Sequence, residues 1–355
     1  MKTRVTRRRL IVGAVVGSGA ILVAAGCAPL RAPSAPSTGK VESPTSKSLT
    51  FMAGYKPQAN VSFVGVYVAQ EMGYFAQQGL TVTIKHSTGQ GEHMKLLAGK
   101  QLDVITQTAT DLINDATGQG IPFVSLAVLT QSGDEGLATL KTSGITQPKQ
   151  FEGKTVGYKV YPAFEYLALL KATGVDRTKV NEVSVGFDPR ILTEGKVDVL
   201  PVFKSNEPDV IRRLGFDVNV IDPAQFGVKV LGQVWTTHRD LLTADPDKYE
   251  RFVRSALNGL YYAFAHPKEA IDIVMKYATT EDRAHQDYML ATEKEMTLTE
   301  ETQAQGIGWQ TLDQWTQLQD GLAQFGLIKT KADPSIFFTD TILKKVYQNG
   351  KLSWP

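Results

Sequence analysis

Two successive cycles of strand and helix patterns constrain the fold of this chain more than any other feature. Short apolar runs alternate with segments whose apolar residues recur at helical spacing. In the first cycle, strands are predicted at 49–53, 80–84, 102–106 and 123–129, and helices at 64–75, 92–98 and 111–117. Strands separated by helices favour a largely parallel sheet, so the fold class is α/β.

The second cycle repeats the pattern and ends in a helical tail. Strands are predicted at 155–158, 180–185, 197–202 and 218–221, and a longer strand, 228–236, returns the chain to the first lobe. Helices are predicted at 164–173, 191–195, 247–265, 267–278, 283–292 and 312–325. We therefore expect two α/β lobes around a cleft, with residues 49–141 and 233–355 in lobe 1 and residues 142–232 in lobe 2.

The first 26 residues are typical of a signal peptide. Arg7, Arg8 and Arg9 precede an uncharged run at 10–26, which is shorter than the about 20 residues of a spanning helix. The triple arginine also resembles the twin-arginine export motif. Ala24-Ala25-Gly26-Cys27 resembles a bacterial lipobox, which implies a lipid on Cys27. Residues 27–48, rich in Pro and Ser, are expected to form a disordered tether.

Charge and cysteine content exclude several classes of function. The net charge is +2, but five basic residues lie in the leader, and the remainder has 33 basic and 36 acidic residues. The chain therefore has no basic surplus for nucleic acid. Cys27 is the single cysteine, so intrachain disulfides and cysteine-rich metal sites are excluded.

Several motifs, in order along the chain, resemble those of one family. They are VSFVGVYVAQEMGYF at 61–75, GKQLDV at 99–104, FEGKTVGY at 151–158 and the ending LSWP at 352–355. Together they resemble bacterial periplasmic binding proteins, in the branch shared with the enzymes that make the thiamine pyrimidine. The resemblance implies the type II fold of that family, in which two α/β lobes joined by a two-strand hinge close over a ligand.

The resemblance also implies a ligand and partners. Lipid-anchored members of the family serve ABC importers, so a permease and the extracytoplasmic face of the cell membrane are the expected partners. Ligands in this branch are flat heterocycles. The segment PVFKSNEP at 201–208 is most similar to riboflavin-importer members. Riboflavin is therefore the expected ligand, and formylaminopyrimidine or hydroxymethylpyrimidine is the alternative.

Candidate ligand-binding residues follow from the topology. In open α/β sheets, ligands bind beyond the carboxyl ends of strands. Aromatic faces would sandwich a flat ring, and amide and carboxylate groups would read its edge. The predicted set is Tyr55, Asn60, Phe63, Gln90, Gln107, Thr108, Tyr158, Tyr161, Phe187, Phe203, Asn206, Glu207 and Trp235.

Structural roles remain open for part of this set. Tyr55, Tyr158, Tyr161 and Phe203 lie at strand ends and suit a core as well as a cleft, and Glu207 suits a helix cap. Three further aromatic residues in or after the first helix are expected to be core residues: Tyr67, Tyr74 and Phe75.

An enzymatic function is not expected, and neither is a cofactor. Aligned with the synthases, Gln107 takes the position of their cofactor-bound lysine and Asp111 that of a reactive histidine. A carboxamide cannot form a Schiff base, which needs a primary amine.

No metal site is expected either. His86, Glu92 and His93 surround a turn and would allow a metal site, but they suit ordinary polar roles better. The adjacent acids Asp134 and Glu135 are expected on a solvated surface, and His285 is expected at a strand end or on the surface.

Overall fold

The computed structural model of the protein describes residues 46–355. The expected signal peptide, Cys27 and nearly all of the expected tether lie outside these residues. Within the described part of the chain, every helix is too short or too polar to span a lipid bilayer.

A mixed sheet organises the first lobe. Its strands are β1 (Lys47–Ala53), β2 (Leu80–His86), β3 (Val104–Thr108), β4 (Phe123–Val128) and β10 (Gln233–His238). They lie in the order β2-β1-β3-β10-β4. β1 is parallel to β2 and β3, whereas β10 is antiparallel to β3 and β4.

The second lobe has the same strand order. Its strands are β5 (Glu135–Leu140), β6 (Thr155–Tyr158), β7 (Asn181–Ser184), β8 (Leu200–Phe203) and β9 (Val218–Ile221). β5 is antiparallel to β8 and β9, β6 is parallel to β7, and a bridge from Val156 to Val199 joins the two groups. The order β7-β6-β8-β5-β9 therefore matches that of the first lobe. Similar Gly-Lys sequences, Gly99-Lys100 and Gly195-Lys196, precede β3 and β8, which occupy equivalent places.

The pairing of β5 corrects two sequence expectations. Residues 135–140 were placed in lobe 1 and given no strand, yet they pair with strands of the second lobe. Each sheet is largely parallel, as expected, and contains one antiparallel strand that arrives from the crossing between lobes. The crossing itself lies at 129–134 and 227–232.

Helices cover both faces of the first sheet. Those of the two lobes are α1 (Val61–Glu71), α2 (Tyr74–Gln77), α3 (Glu92–Ala98), α4 (Ala109–Gly118), α5 (Phe164–Ala172), α6 (Arg190–Thr193) and α7 (Glu207–Arg213). The C-terminal helices are α8 (Arg239–Ala244), α9 (Pro246–Ala265), α10 (Pro267–Tyr277), α11 (Arg283–Thr297), α12 (Glu300–Gln305), α13 (Leu312–Gln324) and α14 (Thr341–Val346), followed by the hairpin β11 (Tyr347–Gln348) and β12 (Lys351–Leu352). One apolar core includes α1, α9 and α10, and a second includes α3, α4 and α13.

Two hydrogen-bonded connections form the expected hinge. Leu129 N donates to Gln233 O at 2.8 Å, and Gly232 N donates to Thr130 O at 3.0 Å. These bonds join the segment that leaves β4 to the segment that enters β10. The two-strand hinge of the periplasmic-binding-protein fold is therefore confirmed.

The helical tail belongs to the first lobe through a close helix crossing. A Cβ atom added at Gly259 in α9 would lie 2.1 Å from the carbonyl oxygen of Gly65 in α1. Real Cβ atoms do not approach that closely, so only glycine allows the two backbones to meet here.

Replacing Gly259 with alanine should lower the free energy of unfolding by about 1–3 kcal/mol, the usual cost of overpacking. Gly321→Ala in α13 is the matched control, because a Cβ atom there meets nothing within 4 Å. That variant should keep or gain stability, since alanine favours helices over glycine. Denaturant unfolding measures both, and equal stabilities would contradict the close crossing.

Candidate functional site

A cavity of about 820 Å³ lies between the lobes, bordered by the hinge and by α11. This volume is in the range of small-molecule sites. Most of the predicted residues line it: Tyr55, Asn60, Phe63, Gln90, Gln107, Thr108, Tyr161, Phe187, Phe203, Asn206 and Glu207. The residues predicted at strand ends of both lobes therefore lie around one cavity. Their role in binding stays a prediction.

Aromatic rings from opposite lobes meet across the cavity. Tyr55 follows β1 and Phe187 follows β7, and their ring centroids lie 5.3 Å apart at an angle of 38°. Gly89 brings the turn after β2 against Tyr55: its φ is +87°, and an added Cβ atom would lie 2.8 Å from the Tyr55 ring. The turn therefore needs glycine at this position to pack against the Tyr55 ring.

A partly buried ion pair forms part of the wall in the second lobe. Lys159 Nζ pairs with Glu207 Oε1, and Glu207 Oε2 accepts from Phe203 N at 2.8 Å. The ammonium group also lies 4.9 Å from the centre of the Phe203 ring and 5.5 Å from that of Phe187. Glu207 is buried and Lys159 is partly buried, so the pair helps to hold the aromatic rings in place.

The C-terminal helix α11 completes the cavity. Its His285 is buried, contrary to the expected surface position, and its ring nitrogens lie 2.8 Å from Asp209 Oδ2 and 2.9 Å from Asn206 Oδ1. The histidine thereby ties α11 to the start of α7, which belongs to the second lobe. This contact holds Asn206 at the cavity wall.

Both polar atoms of the Asn60 side chain form hydrogen bonds within the protein. Its Oδ1 accepts from Ser62 N at 3.0 Å as the N-cap of α1, and its Nδ2 donates to Glu293 Oε1 at 2.9 Å. Ser205 in the second lobe donates to the same Glu293 oxygen at 3.0 Å and is also bonded to Asp134. A buried polar network therefore joins both lobes beside the hinge.

The acidic pair after the hinge is not solvated, contrary to expectation. Asp134 is buried, and Asp134 and Glu135 both line the cavity. Adjacent acids in a polar stretch resemble a surface turn in sequence, and only the pairing of β5 places them inside.

The pH dependence of stability should report on Asp134. Burial raises its pKa from 3.8 to about 7. A carboxyl with a raised pKa stabilises the folded state while protonated, and that contribution is lost as the pH rises from about 4 to about 7. Asp134→Asn should therefore gain in melting temperature relative to the original protein over that range. Calorimetric scans at several pH values measure the difference, and a constant difference would contradict the assignment.

The junction of β3 and α4 presents unused polar groups. Gln107 is 5% exposed, and neither its Oε1 nor its Nε2 has a hydrogen-bond partner among the described residues. Thr108 is the N-cap of α4 and accepts from Asp111 N at 3.1 Å. The Tyr161 hydroxyl of the second lobe donates to Asp111 Oδ1 at 2.7 Å, although the Tyr161 side chain is half exposed.

Two predicted residues lie outside the cavity wall. Trp235 is fully buried in the core of the first lobe, where its Nε1 donates to Ser62 O at 2.9 Å and its ring meets the edge of Phe252 at 5.6 Å. Tyr158 is half-buried at the end of β6 and does not line the cavity. Trp235 is therefore a core residue, and the prediction that placed it in the cleft is wrong.

The histidines near β2 have structural partners. His86 Nδ1 lies 2.9 Å from Tyr55 O, which can only accept, so this nitrogen carries the proton and Nε2 accepts from Tyr67 Oη at 3.0 Å. His93 Nδ1 lies 3.1 Å from Ser87 Oγ. Burial lowers the pKa of both histidines. Within residues 46–355, no group of three or more His, Cys, Asp or Glu side chains is arranged so that it could hold a metal ion.

Sequence reasoning missed several lining residues. Lys159 directly follows a predicted strand end, so the same topological reasoning would have included it. Glu281, His285 and Met289 also line the cavity, but they come from the tail. Their position depends on the packing of α11 against the hinge, which no local pattern indicates.

The sequence of this chain is similar to those of several known proteins. The chain is 26% identical to the riboflavin-binding protein RibY of Chloroflexus aurantiacus over 322 residues, covering 88% of this chain and 90% of that protein. It is also 26% identical to the formylaminopyrimidine-binding protein of Halalkalibacterium halodurans over 254 residues, covering 70% and 75%. A 4-amino-5-hydroxymethyl-2-methylpyrimidine phosphate synthase of Saccharomyces cerevisiae, THI13, is 28% identical over 153 residues, covering 42% and 44%.

Solved structures share the fold. The periplasmic aliphatic sulphonate binding protein SsuA of Escherichia coli matches with a TM-score of 0.61 at 12% identity, over 84% of this chain and 100% of that one. The ligand binding component of an ABC-type import system from Staphylococcus aureus matches with a TM-score of 0.65 at 11% identity, over 84% and 98%. The model of the family described as NMT1/THI5 like matches residues 60–270. The chain belongs to the NMT1/THI5-like family and has the periplasmic-binding-protein fold.

Proposed function

We propose that the protein is the substrate-binding component of an ABC importer and that it captures riboflavin in the cavity between its lobes. In this proposal a lipid on Cys27 anchors it to the extracytoplasmic face of the cell membrane, and a permease receives the ligand. The binding proteins among its relatives support the role.

One observation carries the proposal: aromatic residues from both lobes face a single cavity large enough for a flat heterocycle. Tyr55 comes from the first lobe, and Phe187 and Phe203 come from the second. A flat ring that packs against these aromatic side chains gains stacking in addition to apolar burial. Gln107 and Asn206 present amide groups that can read the edge of the ring.

Closure of the lobes is the proposed mechanism. The hydrogen bond from Tyr161 to Asp111 and the contact between Tyr55 and Phe187 cross from one lobe to the other. A ligand that touches both lobes favours the conformation in which these contacts form, because it binds that state more tightly. No bond is made or broken in this process.

Gln107 supports a binding role over a catalytic one. It lies in the cavity at the position that aligns with the cofactor lysine of the synthases, and its carboxamide cannot form a Schiff base. We therefore propose no cofactor and no reaction.

A thiamine pyrimidine precursor is the alternative ligand. The formylaminopyrimidine-binding relative is as similar as the riboflavin-binding one, at 26% identity. A small aminopyrimidine would stack on the same aromatic side chains and form hydrogen bonds with the same amide groups.

Titration of riboflavin with the purified full-length protein tests the proposal. Riboflavin fluorescence should be quenched to saturation at one equivalent, with submicromolar affinity. Absence of quenching, together with heat release on adding formylaminopyrimidine, would replace riboflavin with the alternative. Binding of neither compound would contradict the proposal.

A further inference from the structure

One end of the cavity is lined by carboxyl groups that form no ion pair within the described part of the chain. Asp111 and Asp115 project from α4, and Glu135 begins β5. Within residues 46–355, none of the three forms a salt bridge. The lysines elsewhere in the lining form their ion pairs with other acids: Lys159 pairs with Glu207, although its charge also attracts Glu135, and Lys56 pairs with Glu281 at 2.6 Å. Lys95, also in the lining, has an exposed side chain and forms no ion pair with these acids. We call Asp111, Asp115 and Glu135 the acidic wall.

Hydrogen bonds use only part of the acidic wall. Asp111 accepts from Tyr161 and, at 2.8 Å, from Thr108 Oγ1. Asp115 is 5% exposed; its Oδ1 accepts from Gln119 Nε2 at 2.9 Å, but its Oδ2 has no partner among the described residues.

Gln107 is a second, independent sign of a ligand at this end. It lies one residue before the N-cap of α4, it is buried, and both of its amide atoms lack partners within the described chain. Buried amides without partners are rare, because each lost hydrogen bond costs about 1–3 kcal/mol. A ligand with hydroxyl, amino or imino groups would satisfy both the amide and the free carboxylate oxygen.

The acids of this wall already disfavour further negative charge. Burial, reinforced by repulsion from Asp111, raises the pKa of Asp115 to about 7. Burial also raises the pKa of Glu135 well above its usual range, and Glu135 shares a hydrogen bond with the buried Glu165. A phosphate ester placed here would add negative charge beside carboxyl groups whose ionised forms are already disfavoured by burial and by one another.

We propose that the acidic wall selects the unphosphorylated form of the ligand: it accepts hydrogen bonds from hydroxyl or amino groups and excludes phosphate esters. This inference rests on the proposed function, since it assigns a specificity to the same cavity. For riboflavin, the wall receives the ribityl hydroxyl groups and rejects flavin mononucleotide.

Titration of the full-length protein with riboflavin and with flavin mononucleotide tests the inference, since both flavins fluoresce. Riboflavin should bind at least about 30-fold more tightly. In Asp115→Asn and in Glu135→Gln, which keep the side-chain shapes, this preference should fall at least about tenfold. Asp188→Asn is the matched control: Asp188 also lines the cavity but is exposed and paired with Arg190. Its preference should stay unchanged.

The outcomes separate the two proposals. Equal affinity for the two flavins, or an unchanged preference in both wall variants with native melting curves, would overturn the inference while leaving the binding function intact. If neither flavin binds, the same comparison uses hydroxymethylpyrimidine and its phosphate by calorimetry. A preference for the unphosphorylated pyrimidine would then support the wall and refute riboflavin, and no binding of any of the four compounds would overturn both.

Discussion

Replacing Trp235 with alanine should lower the free energy of unfolding by about 3–5 kcal/mol, the usual cost of deleting a buried aromatic side chain. The indole is fully buried between α1 and α9, against Phe252. The variant also loses the donor to Ser62 O, which leaves a buried carbonyl oxygen without that bond. Calorimetric or denaturant unfolding gives the size of the loss.

Trp354→Ala is the matched control for this prediction. Trp354 lies near the C-terminus, is only partly buried and contacts Tyr74 with ring centroids 5.1 Å apart. Its loss should cost clearly less. At a temperature where Trp235→Ala remains folded, riboflavin affinity should match that of the original protein. A variant that kept its stability and lost affinity would show that Trp235 contacts the ligand in the cleft.

Replacing Phe187 with alanine should weaken riboflavin binding about 30-fold, equivalent to about 2 kcal/mol. The ring lies in the loop after β7, is half-buried and faces Tyr55 across the cavity. Its removal takes away one aromatic face for the ligand and one contact between the lobes. Fluorescence titration measures the affinity.

Phe216→Ala separates this effect from general damage. Phe216 also lies in the second lobe, but it is exposed and does not line the cavity. Its removal should leave the affinity unchanged. A Phe187→Ala protein with normal riboflavin affinity and a normal melting temperature would show that the ring makes no contact with the ligand.

Local patterns were sufficient for most of the architecture. The helix at Glu92–Ala98 and the strands at Thr155–Tyr158 and Val218–Ile221 have the predicted bounds, because apolar periodicity and flanking glycines define them. The predicted helix at 64–75 is divided into α1 and α2, because Gly73 adopts a left-handed conformation with φ of 71°. β5 was missed because its partners, β8 and β9, are distant in sequence, and a strand between two others needs no alternating pattern.

The candidate site was predictable to the extent that topology determines it. Residues at or just after the ends of parallel strands, such as Tyr55, Gln107 and Phe203, line the cavity because strand ends converge there. The prediction that Trp235 lies in the cleft was wrong, because β10 begins at Gln233 and residue 235 already lies inside the sheet. His285 was missed because its position depends on how the tail packs.

A crystal structure of the protein grown with riboflavin would show where the ligand binds. We expect the isoalloxazine ring in the cavity, in contact with Tyr55 of the first lobe and with Phe187 or Phe203 of the second, and the ribityl chain at the acidic wall. Riboflavin bound elsewhere on the protein, with the cavity between the lobes empty, would contradict this expectation.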